Sequence, residues 1–298
     1  DGSAPVIEHR IEGAQRESIP VTDPSLAAGY CSASNRNSGD CTTCPAYGAS
    51  MREPDAVFAD PRLAVLYDFF DDDRSDLTAY LALVDELGAR RIVDLGCGTG
   101  SLAVLLAARG LDVIGVDPAR ASLDVAGRKP YADRVRWVHG DATVLDVGDK
   151  PVDLVVMTGN VAQVFADGED WHTTLACARR WLRRDGWLVF ETRRPESRAW
   201  ESWDVQPTEV TLPDGRQATV SRTVTSVDLP LVSFKSVTRV DGEDLVSRST
   251  LRFRAPAEIT ADLARHGFEV GEIRDAPDRP GLELVFLARA TGSPFDTR

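Results

Sequence analysis

The sequence predicts an α/β fold: a seven-stranded mixed sheet with helices on both faces, and an antiparallel β insertion between its fifth and sixth strands. Three observations carry the prediction. Short apolar runs alternate with helical patterns from residue 92 to residue 190, the rhythm of a largely parallel sheet. A glycine turn, Gly96-x-Gly98-x-Gly100, follows the first run. Residues 208–254 then change to the period-two alternation of antiparallel strands, as in Val220, Arg222, Val224 and in Val232, Phe234, Ser236.

Two helices come first, at 61–70 and 77–87, with apolar residues at three- and four-residue spacings (Leu63, Leu66, Phe69, Phe70; Leu77, Tyr80, Leu81, Val84, Leu87). The first strand is 92–95, and the helix with Leu102, Leu105 and Leu106 begins directly after the glycines. Residues 111–116 form a second strand that ends in Asp117. Residues 134–139 form a third before Gly140-Asp141-Ala142, and 153–157 a fourth before Thr158-Gly159-Asn160. A helix over 171–181 and an Asp185-Gly186 turn lead to a fifth strand at 187–190. Insertion strands are expected near 208–212, 217–226, 231–240 and 245–254, with turns at Pro213-Asp214-Gly215 and Asp241-Gly242. A helix at 257–266 restores the α/β rhythm, and strands at 268–273 and 282–287 close the sheet, the last running antiparallel.

The decapeptide 91–100, RIVDLGCGTG, constrains the ligand most. A strand, a glycine turn and a helix N-terminus bring bare backbone to the carboxyl edge of a sheet. The phosphate-cradling pattern Gly-x-Gly-x-x-Gly is broken: Ser101 holds the third glycine's slot and Gly100 comes one residue early. Asp94, inside the turn, would repel a pyrophosphate. S-adenosylmethionine (SAM), which carries a sulfonium and an ammonium and no phosphate, suits these residues better.

The four strand tips resemble those of class I SAM-dependent methyltransferases of the small-molecule type, over residues 57–290. The specific part is Val93 to Gly100, Val116-Asp117 and Gly140-Asp141. The resemblance implies a Rossmann-like sheet and in-line methyl transfer to a small acceptor such as an amine or a hydroxyl. It also implies a cofactor site in which Asp94, Gly96, Cys97 and Gly98 flank the methionine moiety. Asp117 with Pro118 would hold the ribose, Asp141 with Ala142 would meet the adenine, and Thr158, Gly159 and Asn160 would complete the wall. Tyr67 and Arg74 are candidates for closing over SAM, through a ring over the sulfonium and a guanidinium on the carboxylate. Each residue has a plainer reading. The glycines can be a tight turn only, Asp117 a helix N-cap and Asp141 a turn residue. Tyr67 can pack between helices, and Arg74 can pair with Asp71, Asp72 or Asp73.

The acceptor end is less defined. Gln163, Arg193, Trp200 and Trp203 are candidates for its mouth, with Arg194 beside them, and the tryptophans can equally be core plugs. The insertion caps the pocket in this reading; a stabilising flap or a homodimer surface is the other. Asn160, Gln163 and His172 lie near the fourth strand tip, but none is an obvious general base by spacing. The Asn/Asp-Pro-Pro-Tyr/Phe signature of enzymes that methylate base amino groups is absent, with Thr158-Gly159-Asn160-Val161 in its place.

Composition agrees with a small-molecule enzyme. The 298 residues are 43% hydrophobic, enough for a core, and the net charge of −13 disfavours a nucleic-acid partner. No apolar stretch reaches the roughly 20 residues that span a bilayer, and no leader pattern opens the chain, so a cytoplasmic location is expected. Arg179-Arg180 and Arg183-Arg184 read as a solvated helix end. Residues 1–50 lack apolar periodicity and read as a disordered extension, with the methyltransferase domain at 51–298, a helical lid at 56–90 and the insert at 205–254. Cys41-x-x-Cys44, with Cys31 and a distant His9, lacks the second close pair that structural zinc sites show, so no metal is expected. Cys177 reads as core. Two other functions fit less well: a SAM-binding sensor without turnover, and a dehydrogenase, which the glycine spacing and Asp94 disfavour.

Overall fold

The computed structural model describes residues 53–70 and 74–292. The expectations about residues 1–50, with His9, Cys31, Cys41 and Cys44, lie outside the described residues, as do Asp71, Asp72 and Asp73.

In chain order the elements are α1 (Ala56–Ala59), α2 (Pro61–Phe70), α3 (Asp76–Glu86), β1 (Arg91–Leu95), α4 (Ser101–Ala108), β2 (Asp112–Asp117), α5 (Arg120–Ala126), β3 (Val135–His139), β4 (Val152–Met157), α6 (Gly168–Trp181) and β5 (Leu182–Arg193). Then come β6 (Val205–Thr211), β7 (Gln217–Asp228), β8 (Leu231–Val240), β9 (Glu243–Arg252), α7 (Pro256–Arg265), β10 (Phe268–Asp275) and β11 (Glu283–Ala290). Seven strands form one sheet in the order β10-β11-β5-β4-β1-β2-β3. β3, β2, β1, β4 and β5 pair in parallel, while β11 is antiparallel to both of its neighbours. The insertion is a separate antiparallel sheet in the order β6-β7-β8-β9.

Period-two alternation sorts the central strands onto two cores. Val93, Leu95, Val155, Met157, Leu188 and Phe190 face α6 and α7, meeting Trp171, Leu175, Ile259 and Leu263. Ile92, Leu154, Val156 and Val189 face α3 and α4, meeting Leu77, Tyr80, Leu102 and Leu106. The chain winds from β1 outward to β3, then crosses to β4 on the other side of β1. The crevice therefore opens between the carboxyl ends of β1 and β4, where open α/β sheets hold ligands.

Local chemistry fixes the helix ends. Asp167 caps α6 by accepting the Glu169 N–H at 2.8 Å, Glu169 and Asp170 occupy its first turn, and Arg179 and Arg180 its last. Arg179 departs from the expectation of a solvated helix end. It is buried and donates to the carbonyls of Gly267, Thr291 and Gly292 at 3.2, 2.6 and 2.6 Å, clamping the ends of α7 and β11 to α6. The expected Asp185-Gly186 turn is also different. Both residues lie within β5, with Asp185 at φ +60°, and the β4–β5 register slips between Val152 and Leu154.

The insertion packs on the N-terminal helices. Leu66 of α2 is buried with Leu212 and Ala218, with Phe69 against them. The Val57 N–H of α1 donates to Ser247 Oγ at 3.0 Å. At the other end of the insertion Trp200, Val232 and Phe253 form a second small core, with Trp203 packed against it.

Candidate functional site

A cavity of about 210 Å³ lies at the carboxyl ends of β1, β2 and β4, and reaches β5. Its floor is the glycine turn. The Gly96 and Cys97 N–H groups both donate to the Val116 carbonyl, at 2.8 and 3.1 Å, which bonds the turn to β2. Gly98 has φ +53°, and a Cβ there would meet no protein atom within 4 Å, so its bare backbone faces open space in the cavity. Gly100 (φ +76°) is different: its Cβ would stand 2.5 Å from the Trp137 ring and 2.8 Å from the Ala126 methyl. That glycine serves close packing of α4 against the sheet.

Asp117, at the end of β2, accepts the Gly98 N–H and the Ala119 N–H, each at 2.8 Å. It is not the N-cap of α5, which is Ala119, but it fixes the chain two residues before that cap, and it lines the cavity. Burial raises its proton affinity, while the two backbone N–H groups oppose the rise. Asp94 lies inside β1 rather than in the turn, and its side chain is 1% exposed on the cavity wall. Burial, then the Asp117 charge, push its carboxyl up to about 7, and Arg74 pulls the other way. Its Oδ1 has no protein partner among the described residues. A buried acceptor without a partner, opening into a cavity, is a place for a donor or a cation.

Phe58 and Tyr67 form the opposite wall, with ring centroids 5.3 Å apart. Arg74 lines the cavity and makes two 3.1 Å bonds to Asp76. α2 is tied to the turn by Asp68, which accepts Thr99 Oγ1 at 2.5 Å and pairs with Lys129 at 2.7 Å. Pro118, Asp141, Thr158 and Gly159 also line the cavity. Asp141 accepts both the N–H and the hydroxyl of Thr143, at 2.8 and 2.6 Å, which sets its loop.

Several expected residues are elsewhere. The Ala142 side chain is buried in the core beside Val116. Asn160 is 2% exposed and turned behind the wall, its N–H on Glu191 Oε1 at 3.1 Å and its Nδ2 on Glu283 at 3.2 Å. Gln163 is 1% exposed and accepts Arg193 Nη1 at 2.9 Å, and Arg193 pairs with Glu283 at 3.4 Å and lies over the Trp203 ring. Trp200 and Trp203 pack on Phe253 at 4.7 and 5.9 Å. None of these five polar and aromatic side chains is on the cavity wall: apolar packing and the Glu283 charge hold them where the insertion leaves the sheet. His172 is on α6 and stacks on His266, the C-cap of α7, away from the cavity.

Glu191, Asp278 and Arg279 line the cavity and were not expected. Glu191 Oε2 accepts a short hydrogen bond from Tyr80 Oη, and Glu283 accepts Arg279 Nη1 at 2.9 Å. The signal for Glu191 was a charge directly after the Leu188-Val189-Phe190 run, in a strand that continues past its apolar part. No group of three or more metal-ligating side chains occurs among the described residues, and no helix there is long and apolar enough to cross a membrane.

Residues 92–186 match a family described as a methyltransferase domain. The chain is 31% identical over 150 residues to a cypemycin N-terminal methyltransferase of Streptomyces sp, covering 50% of this chain and 60% of that protein. It is 30% identical over 190 residues to a ubiquinone biosynthesis O-methyltransferase of Azorhizobium caulinodans, covering 61% and 60%. The chain thus spans about 60% of the length of these curated relatives. Among solved structures, the sugar N-methyltransferase KedS8 of Streptoalloteichus sp shares the fold at a TM-score of 0.63 and 19% identity, over 84% of this chain and 98% of that one. The amino pentose methyltransferase CalS10 of Micromonospora echinaspora does so at 0.61 and 20%, over 76% and 96%.

Proposed function

We propose that this chain, whose residues 92–186 match a methyltransferase domain family, is a class I SAM-dependent methyltransferase that transfers the methyl group of SAM to a small-molecule acceptor. The observation that carries the reading is the cavity itself: an acid-rich wall over a glycine turn, with the buried Asp94 oxygen unpartnered and open space over Gly98. A sulfonium and an ammonium complement such a wall, whereas a pyrophosphate would be repelled by Asp94. The names of the curated relatives, one acting at a peptide N-terminus and one at an oxygen, support methyl transfer without choosing the atom.

In this reading Gly96, Cys97 and Gly98 lie along the methionine chain, with Asp94 beneath it. The lone pairs of Asp117 not used by Gly98 and Ala119 accept the ribose hydroxyls, and Pro118 and Asp141 flank the adenine. Tyr67 and Phe58 cover the site and exclude water, while Arg74, held by Asp76, meets the methionine carboxylate. When bound, SAM supplies an already activated methyl group with a neutral thioether as leaving group. The protein therefore contributes mainly alignment of the acceptor behind that methyl, worth up to about 7–11 kcal/mol in favourable systems.

Titration calorimetry with SAM and with NAD tests the cofactor. Release of S-adenosylhomocysteine (SAH) from a small-molecule extract, with mass spectrometry of the product, tests turnover. Binding of NAD in place of SAM would sink the reading, and SAM binding with no SAH release from any extract would make the chain a sensor.

A further inference from the structure

Glu191 stands where two cavities meet. It lines the cofactor cavity and also a smaller one of about 80 Å³ between α3 and the β10–β11 loop, walled by Tyr80, Leu83, Ala276 and Val285. Asp94 pairs across to Val156 and Val156 to Val189, so Asp94 and Glu191 point from the same face of the sheet, two strands apart. With strands about 4.8 Å apart, that offset is on the order of 10 Å. One carboxylate thus lies beneath the glycine turn, and the other at the far end of the cavity.

Glu191 is 5% exposed, yet its hydrogen bonding is incomplete. A carboxylate offers about four acceptor positions. Tyr80 Oη bonds Oε2 and the Asn160 N–H bonds Oε1, which leaves acceptor capacity for a ligand on a carboxylate that lines the cavity. Charge selects that ligand. Seven carboxylates and two guanidiniums line the cofactor cavity among the described residues. Both arginines are engaged, Arg74 with Asp76 and Arg279 with Glu283 and Asp278. SAM brings a net charge of only +1, so the walls stay anionic after it docks.

Resting on the methyltransferase reading above, we propose that the acceptor is a protonated primary or secondary amine whose ammonium binds at Glu191, and that Glu191 removes the proton that blocks its nitrogen. Tyr80 is a positioning residue, holding the carboxylate from α3. The proton passes from nitrogen to Glu191, which frees the lone pair. The nitrogen then forms the new C–N bond as the S–CH3 bond breaks, with that electron pair staying on sulfur. The products are the methylated ammonium, SAH and a protonated Glu191, which returns its proton to water. A hydroxyl acceptor fits less well, because both guanidiniums on this wall among the described residues are paired with carboxylates, leaving less positive charge to stabilise an alkoxide.

The surroundings tune Glu191 for this task. Burial and the nearby Glu283 charge raise its proton affinity, and the bonds from Tyr80, Asn160 and Gly159 hold the rise in check. A carboxyl raised from its ordinary value is a better match to an ammonium. The other charged groups about it are Asp76 from α3, Asp278 and Arg279 from the β10–β11 loop, and Arg193 two residues on along β5.

The test uses the full chain loaded with SAH, titrated with paired probes: benzylamine against benzyl alcohol, and glucosamine against glucose. At least one amine should bind at least tenfold tighter than its alcohol, and Glu191→Gln should abolish the difference while SAM affinity stays within about threefold. With SAM present, the preferred amine should release SAH, and its kcat/KM should fall at least a hundredfold in Glu191→Gln. The acid limb of the pH profile should move in Tyr80→Phe and be restored toward wild type in Glu191→Asp relative to Glu191→Gln. Equal binding of amines and alcohols, binding of none of the four, or SAM affinity lost with Glu191→Gln would overturn the proposal. Failure of the wild-type chain to bind SAM at all would instead remove the reading on which it rests.

Discussion

The carboxylate of Asp117 and the backbone N–H of Gly98 meet at 2.8 Å, so the tip of the second strand and the glycine turn are one rigid unit. The other oxygen of Asp117 takes the Ala119 N–H at the same distance. In the proposed reading, cofactor recognition and the local backbone share this one side chain.

It follows that Asp117→Ala will weaken SAM binding and also lower the melting temperature. Hydrogen bonds to charged groups contribute about 1.5–3 kcal/mol each. We expect SAM affinity to fall by about ten- to a hundredfold, judged on the same scale. Asp117→Asn should also melt lower, because its NH2 must face one of two N–H donors. Calorimetry with SAM and thermal melts of the apo chain measure the two effects separately. An unchanged melting temperature would show that the backbone holds the turn without this carboxylate.

Two glycines in the same turn should fail in different ways. The Cβ of Gly98→Ala would project into open space at the cavity, so cofactor affinity should drop while the melt changes little beyond left-handed strain of about 1–2 kcal/mol. Gly100→Ala would drive its Cβ to 2.5 Å from Trp137, and overpacking of that kind costs about 1–3 kcal/mol or more. The second variant should melt clearly lower. Reversed behaviour would mean that Gly98 packs against protein and Gly100 against ligand.

The sheet and its cofactor edge were legible because they rest on local chemistry. Buried parallel strands must be short apolar runs, and a turn of three positive-φ residues needs Gly96, Gly98 and Gly100. The insertion was legible from its alternation. What could not be read were long-range polar partners: Asn160 and Gln163 sit at the fourth strand's exit, yet Glu283 and Arg193 draw them behind the wall. Glu283 is 123 residues from Asn160, and no local pattern announces that bond. Glu191 was missed for the same reason, since its partner Tyr80 is on a helix 111 residues earlier.

Asp94 should make stability and cofactor binding depend on pH in opposite senses. Its carboxyl titrates at about 7 in the folded chain, against an ordinary value of 3.8. The folded state thus binds a proton that the unfolded state has lost, and this contribution to stability disappears as pH rises from about 4 to about 7. A cationic cofactor favours the charged form, so SAM affinity should rise as pH climbs from about 6 to 8, with proton release on binding. Asp94→Asn should flatten both profiles and bind SAM more weakly. A wild-type affinity that is flat over this range would show that Asp94 is already ionised in the apo chain, or that no cation lies near it.

The last prediction concerns the insertion, read in the sequence as a cap on the pocket or a stabilising flap. The structure seats it on the helices that wall the cavity. Leu66 on α2 is buried against Leu212 and Ala218, and the Val57 N–H on α1 ends on Ser247 Oγ. Phe58 and Tyr67 are the wall residues of those two helices. Leu212→Ala removes a 2% exposed side chain from this contact, and burial losses of that type cost about 2–5 kcal/mol. Part of the loss should appear as freedom of α1 and α2, and SAM affinity should fall about tenfold if 1.4 kcal/mol of it reaches the site. Leu229→Ser, at a 57% exposed position far along the insertion, is the control and should change neither stability nor affinity. Unaltered SAM binding in a destabilised Leu212→Ala chain would mean that α1 and α2 hold the cavity wall without the insertion behind them, through contacts such as Asp68 with Lys129 and Thr99, and the Ser122 hydroxyl on the Phe58 carbonyl.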